Sequence, residues 1–359
     1  MIDTLTLTPI AVPRTIDGPD ARDFVAAAEV LNRSVAFDIG SDHLRRDAAE
    51  TLPGWQDQTD TLHGGLVARR DEVVVGALIY EGPQASDATE LEFELGVAPE
   101  SRGTGIETAL LAALEEAARL LGRTTLQTYA THATDTGLPM LPSPTGFGGV
   151  PLDEQTRVYQ EHGFTLQQVE RNSAFPLAGD LTPVRERLAS AEAFAGPDYR
   201  TVTWSGRAPA EYVAAFAFAL SRMSTDVPSG GLTITEETWD AGRVRRREAR
   251  LAAAGMLVSV AAVVHEPTGT VVAYNELAIG SDRTRPTHQW GTLVVREHRG
   301  RRLGTIVKCA NILHWRETVP TSPFISTFNA EENRPMLDVN EALGFTPIAI
   351  GGAWQRTLD

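Results

Sequence analysis

The feature that most constrains this chain is an internal repeat. Residues 97–122 read VAPESRGTGIETALLAALEEAARLLG, and residues 294–315 read VVREHRGRRLGTIVKCANILHW. Val97 falls on Val294, Arg102 on Arg299 and Gly103 on Gly300, an offset of 197. The same offset carries Val74-Val75-Gly76-Ala77 onto Val271-Val272-Ala273-Tyr274. Downstream, Gly163-Phe164 answers Gly344-Phe345 with the offset shortened to 181, which places an insert of 16 residues in the first copy, within the Pro/Gly-rich stretch 138–151. A unit this long is no solenoid repeat. The expectation is a duplicated domain: residues 1–180, a linker at 181–197 and residues 198–359, with the boundary near Phe194-Ala195-Gly196-Pro197. A chain of 359 residues also exceeds one ordinary core.

Apolar periodicity reads the same way in both copies. The first copy is expected to hold strands at 5–12, 64–69, 73–80, 89–97, 124–130 and 165–176. Its helices are expected at 19–32, 42–51, 104–121 and 153–162. The second is expected to hold strands at 199–204, 256–264, 270–278, 287–295, 323–328 and 346–357. Its helices are expected at 209–222, 236–254, 303–317 and 332–343. Such an order predicts an α/β class with a mixed sheet between helices. Acidic residues outnumber basic ones, 47 to 32, for a formal charge of −15. That argues against nucleic acid as a partner and favours a cationic or amine-bearing one. The single cysteine, Cys309, excludes an intrachain disulfide and a cysteine-rich metal site. No metal is expected, and no apolar run is long enough for a membrane span. Cytoplasmic location is the expectation.

In both copies a strand enters a glycine turn that opens a helix. Free N–H groups and the helix dipole make that junction an anion site. The first turn is Arg102-Gly103-Thr104-Gly105; the second is Arg299-Gly300-Arg301-Arg302-Leu303-Gly304-Thr305. With the later Tyr-x-x-x-Gly-Phe segment, this order resembles the GNAT N-acetyltransferase superfamily over nearly the whole chain, in the two-domain plan of mycothiol synthase. The resemblance implies a duplicated GNAT acyl-CoA N-acyltransferase fold. It implies that the turn holds the pyrophosphate of acetyl-CoA. The strand end Val294-Val295 and Asn333 would then hold the pantetheine arm. Tyr159, four residues before Gly163, would protonate the departing thiolate.

Each copy departs from that pattern. In the first, Glu107 stands where the family has Gly or Ala. A carboxylate about 5 Å from a phosphate costs roughly 3 kcal/mol at an effective dielectric near 20. In the second, Arg302 takes a glycine slot, and Asn340, which is no general acid, takes the tyrosine slot. Arg302 strains the backbone if the slot needs a positive φ, yet its charge suits phosphate. His298, Arg299, Arg301 and Arg302 together form a cationic or potentially cationic cluster.

Other candidates are weighed against plain structural roles. Glu90, Glu92 and Glu94 alternate along one strand face, an amine site or a solvated edge. His288 lies where some family members carry a base, although a strand histidine is more often structural. Trp290 reads as core or cleft wall. Met223 and Asp226 follow the first helix of the second copy, where the family walls its acceptor cleft; Asp226 binds a cation or caps a turn. Cys309 reads as an inert packed thiol. The expected activity is acetyl transfer from acetyl-CoA to a small-molecule or peptide amine, carried by the second copy, in a monomer or homodimer. The alternatives are catalysis in the first copy through Tyr159, or a non-catalytic acyl-CoA sensor or scaffold.

Overall fold

The computed structural model describes residues 5–358. The first half of the chain forms, in order, β1 (Leu5–Pro9), α1 (Arg22–Ile39), α2 (Ala48–Gln56), β2 (Thr61–Arg70), β3 (Val73–Pro83), β4 (Glu90–Val97), α3 (Ile106–Leu120), β5 (Thr125–His132), β6 (Met140–Pro142), β7 (Gly149–Pro151), α4 (Glu154–Glu161) and β8 (Thr165–Pro176). The second half forms α5 (Thr182–Ala195), β9 (Tyr199–Ser205), α6 (Val213–Ser221), α7 (Met223–Asp226), α8 (Ala241–Ala253), β10 (Leu257–His265), β11 (Thr270–Ile279), β12 (Thr287–Val294), α9 (Leu303–Thr318), β13 (Phe324–Ala330), α10 (Arg334–Leu343) and β14 (Thr346–Thr357). The expected elements are present, with shifts of a few residues at their ends. The short helix α7 and the hairpin β6–β7 were not anticipated; the hairpin lies inside the expected insert.

The chain divides into two compact units, each mixed α/β. In the first, the strand order is β1-β2-β3-β4-β5-β14, antiparallel except for β4–β5. Leu91, Phe93 and Val97 of β4 are buried with Ile106, Leu110 and Leu111 of α3 in one core. In the second, the order is β9-β10-β11-β12-β13-β8, and β12–β13 is again parallel. Here α9 is buried nearly all round, between α5 and the sheet.

The unit boundaries differ from the expected ones. The first unit holds residues 1–170, 229–235 and 349–359; the second holds 171–228 and 236–348. The two copies therefore exchange chain. Residues 349–357 of β14 close the first unit by pairing with β5 from Ile350↔His132 to Thr357↔Thr125. The 229–235 segment is bound there too: Thr235 donates through N–H and Oγ1 to Glu90, at 3.1 and 2.9 Å. Residues 181–197, expected as a linker, are mostly helix α5. Its Val184 and Ala191 are buried in the second unit's cores, so an amphipathic face turned the stretch into structure.

Trp354 is fully buried and lies against Tyr159, ring centroids 5.7 Å apart, in the first unit's core. Trp354→Ala is expected to destabilise the first unit by about 3–5 kcal/mol although it lies near the end of the sequence. Urea unfolding followed by circular dichroism, with hydrogen exchange resolving the two units, checks this.

Candidate functional site

Strands β4 and β5 pair over only four residues, Glu90↔Thr125 to Phe93↔Thr128, and β12 and β13 over three, Thr287↔Ile325 to Gln289↔Thr327. Beyond those positions each parallel pair lacks ladder bonds, and each splay points at a glycine turn. Gly103 and Gly105 have φ of 67° and 87°, Gly300 has 77°, and Arg302 has 59°. Arg302 thus occupies the left-handed position that Gly105 fills in the first copy, the strain anticipated for a side chain there. In both turns the helix ladder begins late, with Ala109 N–H on Gly105 C=O and Ile306 N–H on Arg302 C=O. The N–H groups before it are the orphan donors of a helix start.

The two turns use those donors differently. Glu107 is buried, at 8% exposure, and its Oε1 accepts from Gly103 N–H at 3.4 Å. The first cradle therefore holds a carboxylate of its own. Arg102 is turned away to Asp38, at 2.6 and 2.8 Å, and to Ser34 Oγ at 2.8 Å, while Gln155 donates to the same Asp38 at 2.6 Å. The cavity that remains, lined by Arg102, Glu107, Gln155 and Tyr159, measures about 30 Å³. That is the room of one water.

In the second turn Gly304 holds the Glu107 slot, and a Cβ added there would meet only Val294 Cγ2, at 3.6 Å. At Gly300 it would meet nothing within 4 Å. Arg301 and Arg302 are exposed, lying over the rings of Tyr199 and Phe194 at 5.5 and 4.4 Å, with Arg302 Nη1 3.5 Å from Ser190 Oγ. Two members of the expected cationic cluster are otherwise engaged. Arg299 donates to Val294 C=O at 3.1 Å and Asp226 C=O at 2.6 Å, so it fastens the turn. His298, bonded to Tyr199 Oη at 3.0 Å, has its pKa lowered by burial and by His265 and Arg301, which favours the neutral ring.

The strands differ as well. β3–β4 runs in unbroken register from Gly76↔Val97 to Glu81↔Glu92. β11–β12 shifts between Asn275↔Thr292 and Leu277↔Gln289, so Trp290 and Gly291 together oppose Glu276. Such a bulge takes a residue's backbone groups out of the ladder and bends the strand. It also brings His288 level with Glu92 of the first unit, since each lies one residue before the partner of Leu277 or Tyr80. A Cβ on Gly291 would meet Met223 Cε at 2.7 Å and Tyr274 Oη at 3.0 Å, which places both side chains at the bulge. Trp290 packs on the core beneath Arg247, whose guanidinium lies 5.4 Å from its ring. Arg247 is itself held by Glu276 at 2.7 and 3.1 Å. Trp290 is therefore a wall.

Asp226 does not present a carboxylate to an acceptor. It is buried, with Arg222 at 3.0 Å and Arg296 N–H at 3.2 Å, so turn packing consumed the charge. Asn333 precedes α10 and its side chain makes no capping bond. Asn329 accepts from Asn340 Nδ2 at 2.6 Å. Of the three acids on β4, Glu90 is tied to Thr235 and Glu94 to Arg46. Glu92 reaches solvent, yet the surrounding protein desolvates it and, with Glu81 and Glu94, pushes its carboxyl up to about 8. Tyr159 is buried at 3% exposure between Phe93, Phe164 and Trp354, and burial pushes its hydroxyl up to about 12. Cys309 is buried and its thiol is likewise pushed up to about 12.

Residues 32–138 match the family model described as the acetyltransferase (GNAT) family. Among solved structures, a tandem GNAT protein from the clavulanic acid biosynthesis pathway, without AcCoA, is 24% identical with a TM-score of 0.73, covering 99% of this chain and 98% of that one. The chain has the fold of a tandem GNAT protein. A GCN5-related N-acetyltransferase from Sphaerobacter thermophilus is 14% identical with a TM-score of 0.61, covering 98% and 95%. The glucosamine N-acetyltransferase region of a fungal multi-domain GH3 beta-N-acetylglucosaminidase is 14% identical with a TM-score of 0.59, covering 99% of this chain and 38% of that one. At these identities the structural likeness is one of fold. No curated protein matches the chain. Within the chain the family model falls on the copy that keeps Gly105, whose cradle Glu107 fills. Among the described residues, no helix is long and apolar enough to cross a membrane and no cluster of three or more His, Cys, Asp or Glu could hold a metal.

One residue escaped the sequence reading. Lys308 on α9 is fully buried and its Nζ has no hydrogen-bond partner. The signal was a lone lysine inside the apolar run Ile306-Val307-Lys308-Cys309-Ala310. Burial lowers its pKa to about 7, with Cys309 acting weakly against the shift. An unfolded lysine titrates near 10.4, so between about pH 7 and 10 the unfolded chain holds a proton the folded chain does not. Stability of the protein is therefore expected to rise with pH across that window and to flatten below it. Lys308→Leu should remove the rise and increase the urea midpoint at pH 7, followed by tryptophan fluorescence.

The contrast between the turns generates a second expectation. Glu107→Gly vacates the first cradle and should open a CoA site there, weaker at high salt. Calorimetric stoichiometry from 50 to 300 mM salt, roughly a threefold fall in Debye length at most, measures it. An unchanged stoichiometry would sink this reading of Glu107.

Proposed function

We propose that this protein is an acetyl-CoA-dependent N-acetyltransferase whose second unit binds the cofactor and transfers its acetyl group to a primary amine. The observation that carries this is the pair of cradles: Glu107 fills the first, and Gly304 leaves the second open beside two exposed arginines. The donor set suits a diphosphate. Backbone N–H groups from Gly300 to Thr305 would hold it, with Arg301 and Arg302 supplying countercharge. Val294, Val295 and Asn333 would hold the pantetheine arm. Acetyl-CoA, when bound, supplies the activated acyl thioester.

The residues of the chain have three tasks. The bulge at Trp290-Gly291 offers backbone N–H to a carbonyl oxygen, the usual way to stabilise developing negative charge. His288, on the same strand, takes the proton from an incoming ammonium. Met223 and Trp290 bound the space beside the bulge and exclude water. The acceptor is a small-molecule or peptide amine, and the acidic surface of the chain favours its approach.

Transfer in the first unit through Tyr159 is the weaker reading. It requires a cofactor in a cavity of about 30 Å³ and a proton from a hydroxyl enclosed by three rings. A sensor or scaffold without turnover is the outcome a negative assay would favour.

Incubating the protein with acetyl-CoA and a panel of amines, and following free thiol, tests the proposal. Arg302→Ala is expected to raise the Kd for CoA roughly 10- to 100-fold, the worth of about 1.5–3 kcal/mol for a charged hydrogen bond. Arg102→Ala, whose partner is Asp38, should leave that Kd within about twofold. Loss of binding in Arg102→Ala alone would move the site to the first unit.

A further inference from the structure

Among the buried polar atoms of the second unit without a hydrogen-bond partner are Lys308 Nζ and Asn340 Oδ1. Both flank the β12–β13 splay. On α9, Gly304, Lys308 and Trp315 share one face by helical spacing. Gly304 lies against Val294 at one end of β12, and Trp315 Nε1 donates to Thr287 Oγ1 at the other, 2.7 Å away. Lys308, between them, lies level with the middle of β12, where pairing to β13 ends at Gln289↔Thr327. A buried polar chain leads there from β12. Gln289 Nε2 donates to Thr327 Oγ1 at 2.7 Å, and Asn329 Oδ1, 3.5 Å from that hydroxyl, takes Asn340 Nδ2.

The two units compare slot by slot. At the offset of 197 Lys308 replaces Leu111; at the offset of 181 Asn340 replaces Tyr159, and Phe345 answers Phe164. Lys308 Nζ lies 5.5 Å from the Phe345 ring, while the Tyr159 ring lies 5.7 Å from that of Phe164. A proton donor is thus present against the same phenylalanine in both units, on α4 in one and on α9 in the other.

We propose that the Lys308 ammonium is the general acid of the second unit, passing its proton to the thiolate that leaves during acetyl transfer. This rests on the reading that the second unit carries the transfer. The neutral amine nitrogen of the acceptor forms its bond to the acetyl carbon as the C–S bond breaks, and the excess proton it then carries is lost to solvent as the amide forms. The electron pair stays on sulfur, and Lys308 supplies the proton that makes the thiol. The neutral lysine then regains a proton from solvent. With a pKa of about 7 the group holds both forms near neutrality, as a recycling acid must.

The test combines kinetics with binding on the full chain. Lys308→Leu should lower kcat at least roughly 100-fold, the lower end for general acids, with KM for acetyl-CoA little changed. The double variant Lys308→Leu/Asn340→Tyr, which rebuilds the first unit's pair, should regain much of the rate; a purely structural lysine would give no such rescue. By calorimetry the parent should bind CoA more tightly than desulfo-CoA, and Lys308→Leu should erase the difference. Unchanged kcat in Lys308→Leu, equal binding of the two ligands by the parent, or stable acetylation of Lys308 overturns the assignment. A parent that discriminates the ligands yet acetylates no amine overturns the transfer reading and keeps Lys308 beside the sulfur.

Discussion

The first N–H groups of a helix have no partner within it. What satisfies them decides what each half of this chain can do. In the first unit Glu107 reaches back to Gly103 N–H, and its charge sits where a bound diphosphate would place its own. In the second unit the Glu107 slot is Gly304, and the neighbouring cations are exposed. One side chain in otherwise matching turns separates a self-satisfied helix start from an open anion site. The turn itself is kept in both: Arg102 and Arg299 each fold back onto the chain and fasten it, to Asp38 and to the Asp226 carbonyl.

The strands follow the same division. The unbroken β3–β4 ladder belongs to the unit whose splay is packed with Phe93, Tyr159 and Phe164. The bulged β11–β12 ladder belongs to the unit whose splay is lined by amides, hydroxyls and one lysine. Burying unpaired polar atoms costs free energy, about 1–3 kcal/mol for each orphaned group. An apolar filling, like that of the first unit, avoids this cost. Polar atoms kept at such a position are the usual mark of a site arranged for chemistry over stability.

Much of the fold was legible in the residues. The repeat, the order of strands and helices, and both glycine turns follow from period and punctuation, which are local properties. That Glu107 brings a carboxylate to the first turn was legible too, but that its Oε1 accepts from Gly103 N–H was not, because the folded surroundings set the side chain's direction. Roles that depend on a distant partner were not. Asp226 reads as an acceptor ligand until Arg222 and Arg296 N–H are seen to occupy it. Lys308 reads as one polar residue in an apolar helix until its Nζ proves to be buried without a hydrogen-bond partner. The bulge at Trp290-Gly291 leaves no trace in the alternation of so short a strand.

The sequence by itself determined that there are two copies of one α/β plan, that each opens a helix on a glycine turn, and that the copies differ at 107/304, 105/302 and 159/340. These are matters of spacing and side-chain chemistry along the chain. Only the tertiary structure decided that the copies exchange their closing strands, so that β14 completes the sheet beginning with β1. It alone decided that the 181–197 stretch is core-forming helix and that Lys308 is a buried, unpaired amine. The reason is that strand partners and burial are settled between segments far apart in sequence. A hydrogen-bonding edge or an apolar face is written locally, but which other segment meets it is not.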